Sequence, residues 1–147
     1  MLLVVAAALG FIYSAAKERG IFARTAPLIG GIDVGTNTPS MISAEEAWSL
    51  FQTKSALFID SRHEFDFKIG HIKGAVNIPL SEFDGKKALL QNTPKEQPLV
   101  AYCDGAACNS SIELAVKLAN NGFKNVRIFF DGWREWRDAN HPTEKSP

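Results

Sequence analysis

Short apolar runs alternate with helical patterns from Ser43 onward, and this alternation restricts the fold more than any other feature of the sequence. Runs of four or five mostly apolar residues are typical of strands that are buried on both faces. The predicted strands are residues 56–59, 74–78, 99–102 and 126–130. The predicted helices are residues 43–52, 81–91 and 110–121, and a last one after residue 131. This order predicts an α/β fold, with an open, mainly parallel sheet and helices on both faces.

Polar residues mark the expected helix starts. Ser43 followed by Glu46 forms a capping box, in which each side chain can bond the backbone of the other residue. Ser81 and Asp131 are predicted to cap the helices that follow them.

The first sixteen residues are almost entirely apolar. A helix of that length spans about 24 Å, and basic side chains such as Lys17 and Arg19 can compensate for the missing length in a bilayer. We therefore expect residues 1–16 to anchor the chain in a bacterial-type inner membrane, with a cleaved signal peptide or a buried helix as alternatives. Basic residues after the run favour a cytoplasmic domain over a periplasmic one.

The remainder of the chain divides into three parts. Residues 17–39 are rich in glycine and proline and are predicted to be a linker. Residues 40–142 are predicted to form one domain, and residues 143–147 a polar tail. The 16 basic and 16 acidic residues balance, which excludes the basic surface of a general nucleic-acid-binding protein.

Both cysteines lie in one loop, between the strand that ends at Tyr102 and the helix that begins near Ser110. In open parallel sheets, sites form beyond the carboxyl ends of the strands. Unpaired backbone N–H groups and the helix dipole would stabilise a Cys103 thiolate, which is the reactive form of the side chain. Gly105 is expected to permit a tight turn. The alternative for Cys103 is a buried residue that only fills space.

Three further segments complete a recognisable pattern. Asp60-Ser61-Arg62 precedes the sequence GHIKGAVNIP at residues 70–79, and Tyr102-Cys103 opens the loop. The sequences GFKNV at residues 122–126 and DGWREW at residues 131–136 follow it. Residues 41–142 thereby resemble a rhodanese homology domain.

That resemblance implies an α/β fold and a persulfide on Cys103. It also implies sulfur transfer from a small donor such as thiosulfate to a thiol or other thiophilic acceptor, with no cofactor. The implied active-site loop contains Asp104, Gly105, Ala106, Ala107 and Asn109. Asp60, Arg62 and His71 are implied to support the site structurally.

The loop departs from the family pattern at its sixth position, where Cys108 replaces the usual arginine. No basic residue lies between Cys103 and Ser111, and Asp104 adds a negative charge. An anionic donor must then be held by backbone N–H groups or by a basic residue from elsewhere in the chain. Phosphatase activity is not expected, because the related phosphatases have a longer loop that ends in arginine.

Two alternatives to sulfur transfer follow from this departure. Cys108 is a possible resolving thiol, which would make the pair a thiol–disulfide redox centre, although it could also simply pack at the helix start. The domain could instead be a catalytically inactive interaction module. A metal site is not expected, because the three histidines are scattered.

Overall fold

The computed structural model describes residues 37–147. The predicted anchor at residues 1–16 and most of the predicted linker lie outside the described residues. Within residues 37–147, none of the helices has both the length and the apolar character needed to cross a membrane.

The secondary structure alternates as predicted from the sequence. The strands are β1 (Ser40–Ile42), β2 (Leu57–Asp60), β3 (His71–Ile72), β4 (Val76–Asn77), β5 (Leu99–Tyr102), β6 (Val126–Phe129) and β7 (Thr143–Glu144). The α-helices are α1 (Ala44–Gln52), α2 (Glu64–Ile69), α3 (Phe83–Lys86), α4 (Ser110–Asn120) and α5 (Gly132–Asp138). Two 3₁₀ helices, Leu80–Glu82 and Lys87–Leu90, flank α3.

Five of these strands form a parallel sheet in the order β1-β6-β5-β2-β4. Leu99 and Ala101 of β5 belong to a core cluster that also contains Leu114 of α4. Val100 and Tyr102, which alternate with them, belong to a second cluster with Trp136 of α5. The strands are therefore buried on both faces, and the predicted sheet with helices on both sides is confirmed.

The second cluster is built around Trp136, which is 1% exposed. Its ring meets Phe51 of α1 at a centroid distance of 5.1 Å and Phe58 of β2 at 5.6 Å, in edge and tilted arrangements. Such arrangements of aromatic rings are favourable beyond the area they bury. They fix α5, and with it the chain that enters α5, against the sheet.

The predicted cap of α1 is present only in part, and the predicted cap of α5 is absent. Ser43 caps α1 by accepting the backbone N–H of Glu46 at 3.2 Å, as predicted. The Glu46 carboxylate does not complete the capping box, because it pairs with Arg127 of β6 at 2.7 Å. Asp131 precedes α5 but makes no side-chain capping bond.

The predicted helix at residues 81–91 is broken into three short turns. Ser81 lies inside the first 3₁₀ turn and caps nothing. Gly85 sits in the middle of the segment, where its low helix propensity opposes a continuous helix. Burial of Phe83 and Leu90 holds the segment on the sheet instead.

The predicted polar tail contains the strand β7, which pairs antiparallel with β3. Buried His71 connects the two, since its Nδ1 bonds the Phe67 carbonyl at 2.7 Å and its Nε2 lies 3.3 Å from the Glu144 carboxylate. Glu144 also accepts the Gly74 N–H at 2.8 Å. Through these contacts His71 joins β3 to α2 and to β7.

Glu144 gives this pairing a pH dependence that Glu144→Gln should remove. The Gly74 N–H outweighs burial and lowers the pKa of Glu144 below its ordinary value of 4.5. A carboxylate with a lowered pKa stabilises the fold above that value and loses its contribution as the pH falls through the folded-state pKa. We expect Glu144→Gln to be less stable than wild type at neutral pH, with a gap that narrows below pH 4.5.

Urea unfolding at neutral and acidic pH measures that gap. Glu113→Gln is a suitable control, because Glu113 is exposed and makes no ion pair within residues 37–147. A gap that does not change with pH would contradict the assignment.

Candidate active site

The carboxyl ends of β2, β5 and β6 meet at one edge of the sheet. The three segments that follow them are Ser61–Arg62, the loop of residues 103–109, and residues 130–131, which lead into α5. This is where open parallel sheets place their sites, and both cysteines lie there.

Cys103 is fully buried, with 0% of its surface exposed. Its thiol donates to the Cys108 carbonyl oxygen at 2.9 Å and to the Ser111 hydroxyl at 3.5 Å. Burial and the contact with the Cys108 thiol raise the pKa of Cys103, although bonds from the Ser111 hydroxyl and the backbone N–H groups of Ser111 and Gly105 act to lower it. The net effect is a pKa above the ordinary value of a cysteine thiol.

Cys108 is half-buried and has the opposite electrostatic character. Its sulfur and the Ser110 hydroxyl share a hydrogen bond of 3.1 Å, and Ser110 shares a second, of 2.7 Å, with Ser61. Burial acts to raise the pKa of Cys108, but the hydrogen bonds from Cys103, Ser110 and the Asp104 backbone outweigh it and the pKa lies below its ordinary value.

The pKa shifts of the two thiols are therefore opposite, since that of Cys103 is raised and that of Cys108 is lowered. The expectation that backbone N–H groups alone would favour a Cys103 thiolate is not met. Those N–H groups are present, but burial raises the pKa of Cys103 by more than they lower it.

Two cavities open beside the loop, and Cys108 forms part of the wall of both. The larger encloses about 390 Å³ and is also lined by Arg62, Ser110 and Asp104. The smaller encloses about 190 Å³ and includes Arg134. Cys108 is therefore the sulfur that a solute in either cavity would meet first.

Arg134 of α5 supplies a basic group that the loop itself lacks. It pairs with Asp104 at 2.5 Å and remains 65% exposed. Arg134 was not predicted as a site residue, although it lies in the DGWREW segment. Ser110 and Ser111 were not predicted as partners of the sulfurs either, and the signal for them was the serine pair that opens α4.

The other predicted loop residues surround the sulfurs without bonding them through their side chains. Ala106, Ala107 and Asn109 are exposed, and Asn109 makes no capping bond at the start of α4. Gly105 is buried, and its carbonyl accepts the Cys108 N–H at 2.9 Å, which closes the turn. A side chain at Gly105 would meet only ordinary contacts, so the expected steric need for glycine is absent there.

The steric need for glycine lies instead at Gly132, outside the loop. Its φ is +63°, and a Cβ there would lie 2.4 Å from the Cys103 carbonyl oxygen. The next two residues bond the loop backbone, with the Trp133 N–H donating to Cys103 at 2.8 Å and the Arg134 N–H to Asp104 at 3.1 Å. The start of α5 thereby fixes the loop.

Asp60 and Arg62 form a buried ion pair with an Nη2–Oδ2 distance of 2.7 Å. The same Nη2 donates to the Gly70 carbonyl at 2.8 Å. The pair joins the end of β2 to the residue that ends α2. Within residues 37–147, no group of three or more acidic, histidine or cysteine side chains is arranged to hold a metal ion.

The family profile of the rhodanese-like domain matches residues 43–139. The chain belongs to the rhodanese-like domain family. This rhodanese-like chain is 30% identical over 117 residues to an HTH-type transcriptional regulator of Mycobacterium tuberculosis, covering 80% of the chain and 50% of that protein. It is 31% identical over 104 residues to the tRNA uridine(34) hydroxylase of Sodalis glossinidius, covering 65% of the chain and 29% of that enzyme. The chain thus spans half or less of these relatives.

Solved structures show the same fold. The BH2092 protein of Bacillus halodurans superposes with a TM-score of 0.65 at 25% identity, covering 72% of this chain and 77% of that one. A thiosulfate sulfurtransferase of Pseudomonas aeruginosa superposes with a TM-score of 0.61 at 26% identity, covering 75% of this chain and 21% of that one.

Replacing Gly132 by alanine should loosen the loop. The positive φ and the clash with Cys103 predict a loss of about 1–3 kcal/mol in the free energy of unfolding. Chemical denaturation measures it. Gly85→Ala is the control, because nothing lies within 4 Å of its Cβ position and alanine favours the helix, so it should stabilise by up to about 1 kcal/mol. Equal effects of the two substitutions would contradict the role of Gly132.

Proposed function

We propose that this rhodanese-like domain transfers sulfane sulfur and carries it as a persulfide on Cys103. The observation that carries the proposal is the position of Cys103 at the carboxyl end of β5, with its sulfur facing the N–H groups of Gly105 and Ser111. Such a ring of N–H groups can stabilise a thiolate or a persulfide anion. The likeness to a thiosulfate sulfurtransferase supports this chemistry at the level of the family.

Hydrogen-bond donors around Cys103 provide a route to the nucleophile. The Ser111 hydroxyl and the N–H groups of Ser111 and Gly105 act to lower the pKa of Cys103, and its proton passes to solvent once the loop moves aside. The resulting Cys103 thiolate attacks the outer sulfur of thiosulfate. A sulfur–sulfur bond forms at Cys103, the bond to the sulfonate breaks, and sulfite leaves with the electron pair.

Donor binding uses basic groups that lie outside the loop. Arg62 borders the larger cavity, and exposed Arg134 borders the smaller one, where it also offsets the charge of Asp104. Because Cys103 has no exposed surface, access requires residues 104–108 to move aside. The acceptor is a thiol or another thiophilic group that approaches by the same route.

Cys103→Ser should abolish both the sulfite that the purified, full chain releases from thiosulfate and any sulfane sulfur that it acquires, because serine cannot form a persulfide. Cyanolysis of the desalted protein measures that sulfur. Cys108→Ser is the matched control and should retain it.

Sulfane sulfur that persists in Cys103→Ser would refute the proposal. If neither wild type nor Cys108→Ser acquires sulfane sulfur or releases sulfite, the domain is an interaction module rather than a sulfurtransferase.

A further inference from the structure

We propose that Cys108 is a resolving thiol, which discharges the Cys103 persulfide as hydrosulfide and leaves a Cys103–Cys108 disulfide. The inference rests on the proposed function, because it needs a persulfide on Cys103. It adds a second activity, the reductive release of sulfide, to sulfur transfer.

The loop folds back so that residue 108 lies against Cys103. The turn closed by Gly105 and Cys108 folds residue 108 back, so that the Cys103 sulfur lies 2.9 Å from the Cys108 carbonyl oxygen. Both side chains rest on the first turn of α4, where Cys103 contacts Ser111 and Cys108 contacts Ser110. Both sulfurs therefore lie at the same helical turn, and the loop can bring one to the other while the strands and helices stay in place.

The surroundings favour discharge of the persulfide over its storage. The loop contains no basic side chain to neutralise a persulfide anion, and the guanidinium of Arg134 is already paired with Asp104. Cys108 lines both cavities, whereas Cys103 lines neither. A small anion that is released beside Cys108 can therefore reach solvent through either cavity.

The reaction balances without an external oxidant. The Cys108 thiol attacks the Cys103 sulfur of the persulfide. A bond forms between the two cysteine sulfurs, and the bond to the outer sulfur breaks. The outer sulfur leaves with the electron pair and the Cys108 proton as hydrosulfide. The sulfane sulfur is reduced, and the two thiols are oxidised to a disulfide.

The disulfide must then be reduced for another turnover. A dithiol, either a small molecule or a protein, reduces it by thiol–disulfide exchange at the half-buried Cys108 sulfur, which borders both cavities. With thiosulfate as donor, each cycle converts thiosulfate and a dithiol into sulfite, hydrosulfide and a disulfide.

The test is a single turnover of the full chain, fully reduced, freed of added thiol and mixed anaerobically with thiosulfate. Wild type should release hydrosulfide equimolar with sulfite, and both free thiols should disappear. Mass spectrometry should find the peptide with both cysteines lighter by two hydrogens. In Cys108→Ser and Cys108→Ala, sulfite should appear without hydrosulfide, and the persulfide should persist until thiol is added.

The outcomes separate the two proposals. If the wild-type persulfide persists as long as that of both variants and no disulfide forms, the resolving role is wrong while the persulfide on Cys103 stands. If neither wild type nor either variant releases sulfite or acquires sulfane sulfur, the proposed function fails and the resolving role fails with it.

Discussion

The buried guanidinium of Arg62 holds the site together. It binds the Asp60 carboxylate and the Gly70 carbonyl, and it lies 4.9 Å from the ring of Trp133 at the start of α5. Burial acts to lower the pKa of Arg62, but the bonds to Asp60 outweigh it and leave the pKa raised, so the guanidinium stays charged. Removing one partner of such a pair leaves an uncompensated buried charge, which costs on the order of 3–5 kcal/mol.

The same end of α5 determines the shape of the cysteine loop. Gly132 passes so close to the Cys103 carbonyl that no side chain fits, and the next N–H bonds that carbonyl. Trp136, one turn further, fixes the helix in the aromatic core. The aromatic core therefore fixes the loop through α5. In the loop so fixed, Cys103 is buried and Cys108 lines both cavities.

Much of the fold could be predicted from the sequence, because strands such as β5 are continuous apolar runs and α4 has a clear helical period. The short strands β1, β3 and β7 could not, since two or three residues carry too little pattern. At the site, the loop and the Asp60–Arg62 pair were predictable. The steric demand at Gly132 and the burial of Cys103 were not, because both arise from contacts between segments distant in sequence.

The proposed chemistry depends on a difference in pKa and burial between the two thiols of one loop. The pH dependence of their alkylation tests that difference most directly. The reduced, full chain would be treated with limiting iodoacetamide over a pH series, and the modification of each cysteine followed by mass spectrometry. Because the thiolate reacts, Cys108 should be modified first and at lower pH, and Cys103 only at higher pH. Modification of Cys103 at lower pH than Cys108 would contradict the account.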